Sequence, residues 1–470
     1  MKYLYIFSLL LAISYTLQSQ SIGYVDLGVL FSQENYDGTA RYNAMSGAFG
    51  ALGGEISSIY QNPAGSAVFA RSEISLTYSN SQLNTDATYY GNTSFNPNNS
   101  SRFPQFGMVF VFDSPNLSSG WTKFTLGFNY NIINDFRGNY SIQGNNEIYN
   151  RYNIHPFDND AIPYNIPEEQ YFENITSGIS DVYTFSFASS YKDVFYIGTS
   201  LNFHTIEFSQ ETFLSEYNSD DNGHYLNAEY TQYLTENSSG VSLGIGIIYK
   251  PFRNFRLGLA YQSPIWHPEL AEESNAIDYD TNNTYTGFEE QGYLDIYSSD
   301  ISGLYQNTRS NYPDILAYNY TLNTPEKWTV SAAFTLGQRG LISIDYHQKN
   351  YSLIQLKNSY EFEEENLEIN NSLTTARGIR GGGELRFNQF SLRGGAFLEE
   401  SPYKIEEETI YKKGISLGFG FKFNKTKLDF AYQYTEIDDK YSMYHSSEPV
   451  ENITLLNTTN RITSTLSYAF

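Results

Sequence analysis

The chain has 470 residues, a formal net charge of −24 and no cysteine. A negative charge of this size excludes a nucleic-acid-binding protein, which needs a basic face, and the lack of cysteine excludes disulfide frameworks and thiolate sites. With 43 Tyr, 33 Phe and 35 Gly but only 40% hydrophobic residues, the composition favours a large all-β domain over a bundle of membrane helices.

The N-terminal residues have the pattern of a secretory signal peptide. Lys2 precedes an apolar run over residues 3–17, and polar residues follow this run. The run is too short and wrongly flanked to anchor the chain in a bilayer. We therefore predict that residues 1–19 are a signal peptide.

Residues 20–71 are predicted to form a hatch, that is, a plug that folds compactly in a confined space. Its central part, 38–69, is rich in glycine and alanine and nearly uncharged. Small residues let backbones approach closely, and glycine permits positive φ. The candidate hatch residues are Gly38, Arg41, Gly47, Gly53, Gly54, Asn62, Pro63 and Ala64.

From Glu73 onward, apolar residues alternate with polar ones, as Ile74, Leu76 and Tyr78 do in the first strand. A period of two is typical of a strand between lipid and water. About 14 such strands follow one another, and an even count lets the first and last strands pair without an open edge. The sequence thus predicts an all-β fold: a transmembrane antiparallel barrel over residues 72–470, with the hatch inside its lumen.

The connections between these strands alternate in length. Segments such as 80–102 and 263–326 are predicted as long polar loops outside the cell, including the asparagine-rich run 92–101. Short connections such as residues 388–389 are predicted as periplasmic turns. This arrangement places both chain ends, and with them the start of the hatch, on the periplasmic side.

The hatch residues, with Asn62-Pro63-Ala64 just before the first strand, resemble the N-terminal hatch of the FadL/TodX family of outer-membrane channels. The aromatic chain end, Tyr468 to Phe470, resembles the signal by which the barrel-assembly machinery recognises its substrates. Taken alone, Asn-Pro-Ala is equally typical of a turn that begins a strand.

The resemblance implies a monomeric channel in the outer membrane of a Gram-negative bacterium. It would take up long-chain fatty acids or hydrocarbons without a cofactor, and release them sideways into the lipid when the hatch rearranges. The loop segment 263–268 also resembles the corresponding position in the family, so Trp266 is a candidate ligand contact. Acidic loops such as 361–365 are predicted as solvated surface, with cation bridges to lipopolysaccharide as the alternative.

A basic cluster is predicted on the lumen side of the strands that flank residues 388–389. A two-residue turn sets Glu384 opposite Arg393, on the face that points inward. The cluster has three members: Arg380, Arg386 and Arg393. One hypothesis is that it binds the carboxylate of a fatty acid. In the alternative, the arginines pair with Glu384, Asp345 or Glu55 and fasten the hatch to the wall.

Other functions remain as alternatives. An open porin for polar solutes and an adhesin or structural barrel fit the strand pattern, and a haem receptor would use His or Tyr ligands. His204 and His347 are predicted to face the lumen, where a Ser-His hydrolase would need them. No recognisable Ser motif accompanies them, and the six histidines lack metal-ligand spacing, so neither an enzyme nor a metal site is expected. Residues 220–223 are predicted as a loop turn rather than a Ca²⁺ site.

Overall fold

The structure is a computed structural model, and it describes residues 22–35, 37–114, 119–156, 162–275, 292–299, 305–312, 314–357, 362–404, 410–444 and 450–470. The predicted signal peptide lies outside the described residues. Among the described residues, no helix combines the length and the apolar character needed to cross a membrane.

The described part of the chain contains 20 strands and a few short helices. The strands are β1 Glu73–Tyr89, β2 Asn92–Asp113, β3 Trp121–Asp135, β4 Gly138–Gly144, β5 Ile166–Tyr191, β6 Phe195–Ser219, β7 Tyr225–Phe252, β8 Phe255–Gln262, β9 Trp266–Ser274, β10 Tyr293–Ser299, β11 Tyr305–Asn311, β12 Leu316–Asn323, β13 Lys327–Thr335, β14 Gly340–Asn350, β15 Gln355–Lys357, β16 Thr375–Phe387, β17 Phe390–Glu400, β18 Tyr411–Phe423, β19 Thr426–Tyr441 and β20 Ile453–Ala469. The helices are α1 Tyr24–Ser32, α2 Ala40–Ala44, α3 Ser58–Gln61 and α4 Glu363–Ser372, with 3₁₀ helices at Pro63–Val68 and Tyr351–Leu353.

Fourteen of these strands form a closed antiparallel barrel, which confirms the predicted strand number. They are β1, β2, β3, β5, β6, β7, β8, β13, β14, β16, β17, β18, β19 and β20. The first and last strands pair from Glu73 opposite Ala469 to Thr88 opposite Thr454, so the barrel has no open edge there. The remaining strands extend the sheet at one end, where β9 pairs with both β7 and β12.

The two faces of the barrel differ in polarity as the alternation predicts. Outward residues such as Leu126, Phe187 and Ile245 are apolar and about half exposed. Inward residues such as Thr125 and Ser186 are polar and buried. An exposed apolar band around a closed barrel is the surface that lipid requires.

Short turns join the strands at one end of the barrel, which we call the turn end; the opposite end is the loop end. The two-residue turn at 388–389 sets Glu384 opposite Arg393 as predicted. The prediction of long loops was wrong in part, because segment 80–102 continues β1 and β2 to a turn at 90–91, and segment 263–326 contains further strands. Beyond the apolar band the hydrogen-bonded pairing of β1 and β2 continues up to Tyr89 opposite Asn92. Every side chain of run 92–101 is exposed or half-buried, which explains why this run is polar although it is a strand.

Residues 22–35 and 37–69 lie inside the barrel. The 3₁₀ helix 63–68 contacts β3, β5, β6 and β7, while α2 contacts β17 to β20 on the opposite side. The predicted periplasmic start of the hatch was wrong: α1 lies toward the loop end, where the amide of Ile22 donates to Gln210 Oε1 at 2.9 Å. Buried Leu27, Val29 and Phe31 hold α1 there, in an apolar core shared with the inward faces of the loop-end strands. The chain then descends through the lumen and reaches the turn end at β1.

Candidate functional site

Residues 37–69, which we call the plug, are held in the lumen by polar contacts to opposite sides of the barrel. Arg41 Nε donates to Glu384 Oε2 of β16 at 2.8 Å, and the Glu384 carboxylate is buried. The backbone amide of Ala40 donates to Thr465 Oγ1 of β20 at 2.7 Å. Because these partners come from separate strands, the plug is attached to the wall at more than one point.

Asp345 of β14 ties two parts of the plug together. Its Oδ2 accepts hydrogen bonds from the amide of Gly50 at 2.9 Å and from Gln61 Nε2 at 2.8 Å. Asn62 Nδ2 donates to the Gly50 carbonyl at 2.7 Å, and Asn62 Oδ1 accepts from the Ala64 amide at 3.1 Å. The Asn-Pro-Ala sequence therefore caps the 3₁₀ helix and braces the plug from within.

Glycines permit the close fit between plug and wall. Gly47, Gly53 and Gly54 of the plug have φ values of 76°, 59° and 66°, the left-handed region that glycine adopts without strain. On the wall, a Cβ at Gly382 would lie 2.6 Å from the carbonyl oxygen of Met45. Larger residues at that position would push the plug off the strand.

A cavity of about 440 Å³, which we call the loop-end cavity, lies between the plug and the loop end. One side is lined by apolar side chains: Leu30 of α1, Phe208 of β6 and the adjacent Phe136. These residues belong to the apolar core that also holds α1. They offer an apolar chain a dry contact surface.

The other side of the loop-end cavity carries charged groups from β16, β17, β18 and β20. Arg380 Nη2 lies 3.7 Å from Glu399 Oε2, and His347 Nε2 lies 3.4 Å from Glu399 Oε1. Arg461 Nε lies 3.5 Å from Asp37 Oδ2. The cavity is thus amphipathic, with an aromatic side and a charged side.

Lys412 also lines the loop-end cavity, and its ammonium makes no hydrogen bond or ion pair with any residue that the structure describes. It stands on β18 opposite Glu399 of β17 in the register. The next residue, Lys413, faces outward and pairs with Glu436 at 2.8 Å. Glu399 attracts the Lys412 ammonium electrostatically without hydrogen-bonding to it. The three donors of this ammonium have no acceptor among the described residues and are suited to bind a carboxylate.

Several solved structures share this architecture. A Pseudomonas aeruginosa FadL homologue has a TM-score of 0.57 at 12% identity, with 93% of this chain and 99% of that chain covered. The CymD monoaromatic hydrocarbon channel has a TM-score of 0.52 at 12% identity, with coverage of 92% and 97%. The Pseudomonas putida toluene transporter TodX has a TM-score of 0.51 at 10% identity, with coverage of 93% and 100%. This chain has the FadL/TodX fold.

The FadL/TodX fold is the one that the hatch residues predicted from the sequence. Neither the comparison with protein families nor the search of curated proteins gives a match. The likeness is therefore one of fold, at identities of 10 to 12% over 92 to 93% of this chain.

Within this fold, the three arginines predicted as one cluster lie on two sides of the plug. Arg380 lines the loop-end cavity. Arg386 and Arg393 lie toward the turn end, where both bind Glu384, Arg393 Nε at 2.8 Å from Glu384 Oε2. Trp266 lies outside the loop-end cavity, on the outward face of β9 and 39% exposed. Its chain neighbours Ile265 and His267 point inward instead. Trp266 is therefore not positioned to contact a ligand in the loop-end cavity.

Lys412 and Glu399 are candidates that were not predicted from the sequence. β17 continues to Glu400 and keeps Glu399 on the inward face, where it lines the loop-end cavity. The alternation of residues along β18 could have predicted that Lys412 points into the lumen, because it places Lys412 on the same face as the buried Ser416.

His204 has a serine beside it but lacks the acid that a catalytic histidine needs among the described residues. His204 Nε2 lies 2.9 Å from Ser242 Oγ, which is the contact of a Ser-His pair. Its Nδ1 is buried and has no partner among the described atoms, so no acid there orients the ring as in a catalytic triad. Neither residue lines a cavity that we describe.

No group of three or more His, Asp or Glu residues that could hold a metal ion occurs in the described ranges. At the predicted turn 220–223, the Asp220 carboxylate accepts hydrogen bonds from the Asn222 amide at 2.9 Å and from His224 Nδ1 at 2.7 Å. The carboxylate is thus used by its own loop, as in an Asx turn.

Two carboxylic acids meet beneath α1 at the loop end. Glu236 of β7 and Glu272 of β9 are register partners and are both buried. Tyr24 of α1 donates to Glu272 Oε2 at 3.0 Å, and Tyr320 donates to Glu236 Oε1 at 2.8 Å. The neighbouring Glu273 faces outward and is exposed. The Glu236–Glu272 pair therefore lies beyond the apolar band of the barrel. Burial raises the pKa of both carboxyl groups, that of Glu272 to about 7, so the pair is protonated in mildly acidic solution.

Proposed function

We propose that the chain is an outer-membrane channel that takes up hydrophobic molecules carrying an acidic group. The observation that carries this proposal is Lys412, whose ammonium faces a cavity with an apolar opposite side. An apolar tail would contact Phe136 and Phe208, and its carboxylate would bind Lys412 beside Arg380. The structures of similar fold include a FadL homologue, a toluene transporter and a monoaromatic hydrocarbon channel.

The location follows from the same fold. The apolar band would lie in the outer membrane of a Gram-negative bacterium, with the turn end in the periplasm and the loop end outside. Tyr468 and Phe470 are exposed at the last strand, and the Phe470 amide donates to the Ser72 carbonyl at 2.9 Å. Recognition of this end by the barrel-assembly machinery, contact with lipopolysaccharide and a monomeric state remain predictions.

The uptake route that we propose begins at the loop end and passes through the loop-end cavity. Moving an apolar chain through protein rather than water avoids a cost of about 0.8 kcal/mol for each CH₂ group. The plug occupies the lumen on the far side of the cavity, so release requires the plug to move. A filled lumen supports this channel over an open porin, and neither catalysis nor a cofactor is part of the proposal. Sideways release into the lipid remains a prediction.

The proposal is tested by comparing two neighbouring lysines. We expect Lys412→Gln to weaken decanoate binding about 10- to 100-fold, because a hydrogen bond to a charged group contributes about 1.5–3 kcal/mol. Decanol has the same chain without the charge, and we expect its affinity to stay unchanged. Lys413→Gln is the matched control, since Lys413 faces outward. The affinities are measured by calorimetry on the purified barrel in detergent.

An equal loss for decanoate and decanol would show that Lys412 supports the cavity rather than binding the acid. No loss for either ligand would remove the cavity from the proposed route. Either result would overturn the assignment of the acidic group.

A further inference from the structure

A second cavity, of about 570 Å³, lies on the other side of the plug, and we call it the turn-end vestibule. The plug residues 52–54 and Val68 form its inner end. Its rim is formed by the turns at residues 337–338 and 388–389. The plug separates it from the loop-end cavity, so it opens to the opposite compartment.

The turn-end vestibule is basic in a chain that is strongly acidic. Two carboxylates line it, those of Glu384 and Asp429. Six cationic side chains line it: Arg41, Arg256, Arg386, Arg393, Lys422 and Lys427. Lys427 is neutralised by Glu73, at 2.6 Å. The remaining cations outnumber the acids, whereas the whole chain has a net charge of −24.

The acids inside the vestibule are already shared. Glu384 accepts from Arg41 and Arg393, each at 2.8 Å, and also from Arg386. Arg393 Nη1 additionally reaches Asp429 Oδ1 at 2.6 Å. Three guanidinium groups on one carboxylate leave positive charge uncompensated in a partly buried space.

Two further cations add to this excess. Arg256 of β8 donates to the Leu52 carbonyl of the plug, and the structure shows no acidic partner for it among the described residues. The side chain of Lys422 on β18 makes no hydrogen bond or ion pair in the part of the chain that the structure describes. Cations held in a concave, partly desolvated site attract anions strongly.

We propose that the turn-end vestibule binds an oxyanion group, a carboxylate or a phosphate, between Arg256, Lys422 and Arg386. Arginine and lysine donors around a cavity match the acceptors of such groups. The anion has two sources: the acidic group of a ligand that has passed the plug, or free phosphate from the periplasm. The first source depends on the proposed function and the second does not.

The test uses the double variant Arg256→Gln/Lys422→Gln in the full-length barrel. Calorimetry at low salt measures inorganic phosphate binding, and decanoate binding is measured in a Lys412→Gln background so that the loop-end cavity does not contribute. We expect the double variant to bind the anion at least about tenfold more weakly. The matched control is Arg339→Gln/Lys425→Gln, which makes the same charge change at exposed turn residues outside the vestibule.

The single variant Lys422→Gln separates binding from folding, because it removes an exposed side chain that makes no bond to the described protein. A loss in this variant with unchanged heat-modifiable gel migration supports the vestibule. Phosphate binding by the wild type identifies a site for simple oxyanions, and decanoate binding alone identifies a site for the ligand's acidic group.

Equal affinities in the vestibule variants and the control, or no binding of either anion, overturn the inference. That outcome leaves the proposed function standing if Lys412→Gln still weakens decanoate binding. The reverse outcome, phosphate binding at the vestibule with no effect of Lys412→Gln, overturns the proposed function and keeps the vestibule.

Discussion

Replacing Glu384 with glutamine removes the carboxylate that plug and wall arginines share. Arg41 of the plug and Arg393 of the wall both donate to Glu384 Oε2 at 2.8 Å, and Glu384 is 3% exposed. Glutamine keeps the size of the side chain and loses the charge. Arg41 then keeps its hydrogen bond to the Gly54 carbonyl but has a neutral amide in place of the carboxylate.

The magnitude follows from the burial of this network. Removing one partner of a buried ion pair costs about 3–5 kcal/mol, because the remaining charge is uncompensated. This cost destabilises the seated state of the plug relative to the open state. The ratio of open to seated plug therefore rises about 10²- to 10⁴-fold. A plug that is almost always seated in the wild type then becomes measurably open.

Conductance in planar lipid bilayers reports this change. We expect Glu384→Gln channels to spend a larger fraction of time open than the wild type. Glu436→Gln is the matched control, since Glu436 pairs with Lys413 on the outer surface and such pairs contribute about 0–1 kcal/mol. Channels of Glu384→Gln as closed as the wild type, or a Glu436→Gln variant that opens equally, would refute the reasoning.

Three further outcomes follow from the structure. Because burial raises the pKa of Glu272 to about 7, the protonated pair stabilises α1 in acid, and this stabilisation is lost as pH rises from about 4.5 through 7. Burial also raises the pKa of the neighbouring Glu236. Amide exchange of α1, corrected for intrinsic rates, should therefore be faster at pH 8 than at pH 5, and the double variant Glu236→Gln/Glu272→Gln should abolish the difference; an unchanged pH dependence would contradict this. Gly382→Ala should weaken plug seating by about 1–3 kcal/mol through the clash with Met45, whereas Gly381→Ala, with nothing within 4 Å of its Cβ, should have no effect; bilayer conductance distinguishes them. Trp266→Ala should leave decanoate affinity unchanged in calorimetry, because Trp266 faces outward; a weaker affinity would place the ligand at the barrel exterior.

The sequence by itself determined the barrel and which face each strand residue takes. A period of two is a local property, so Leu126 outside and Thr125 inside follow from the alternation alone. The two-residue turn at 388–389 determined the register that sets Glu384 opposite Arg393. Glycines that permit positive φ marked the plug before any contact was known.

Only the tertiary structure decided which inward residues meet. Alternation states that a side chain points inward, but not its height relative to a plug from a distant part of the chain. Arg41 binds Glu384 across 343 residues of sequence, and the plug separates Arg380 from Arg386. Lys412 likewise became a candidate only when the lumen packing showed that its ammonium makes no hydrogen bond or ion pair with a described residue. The contents of the lumen depend on packing between distant segments, which a local pattern does not encode.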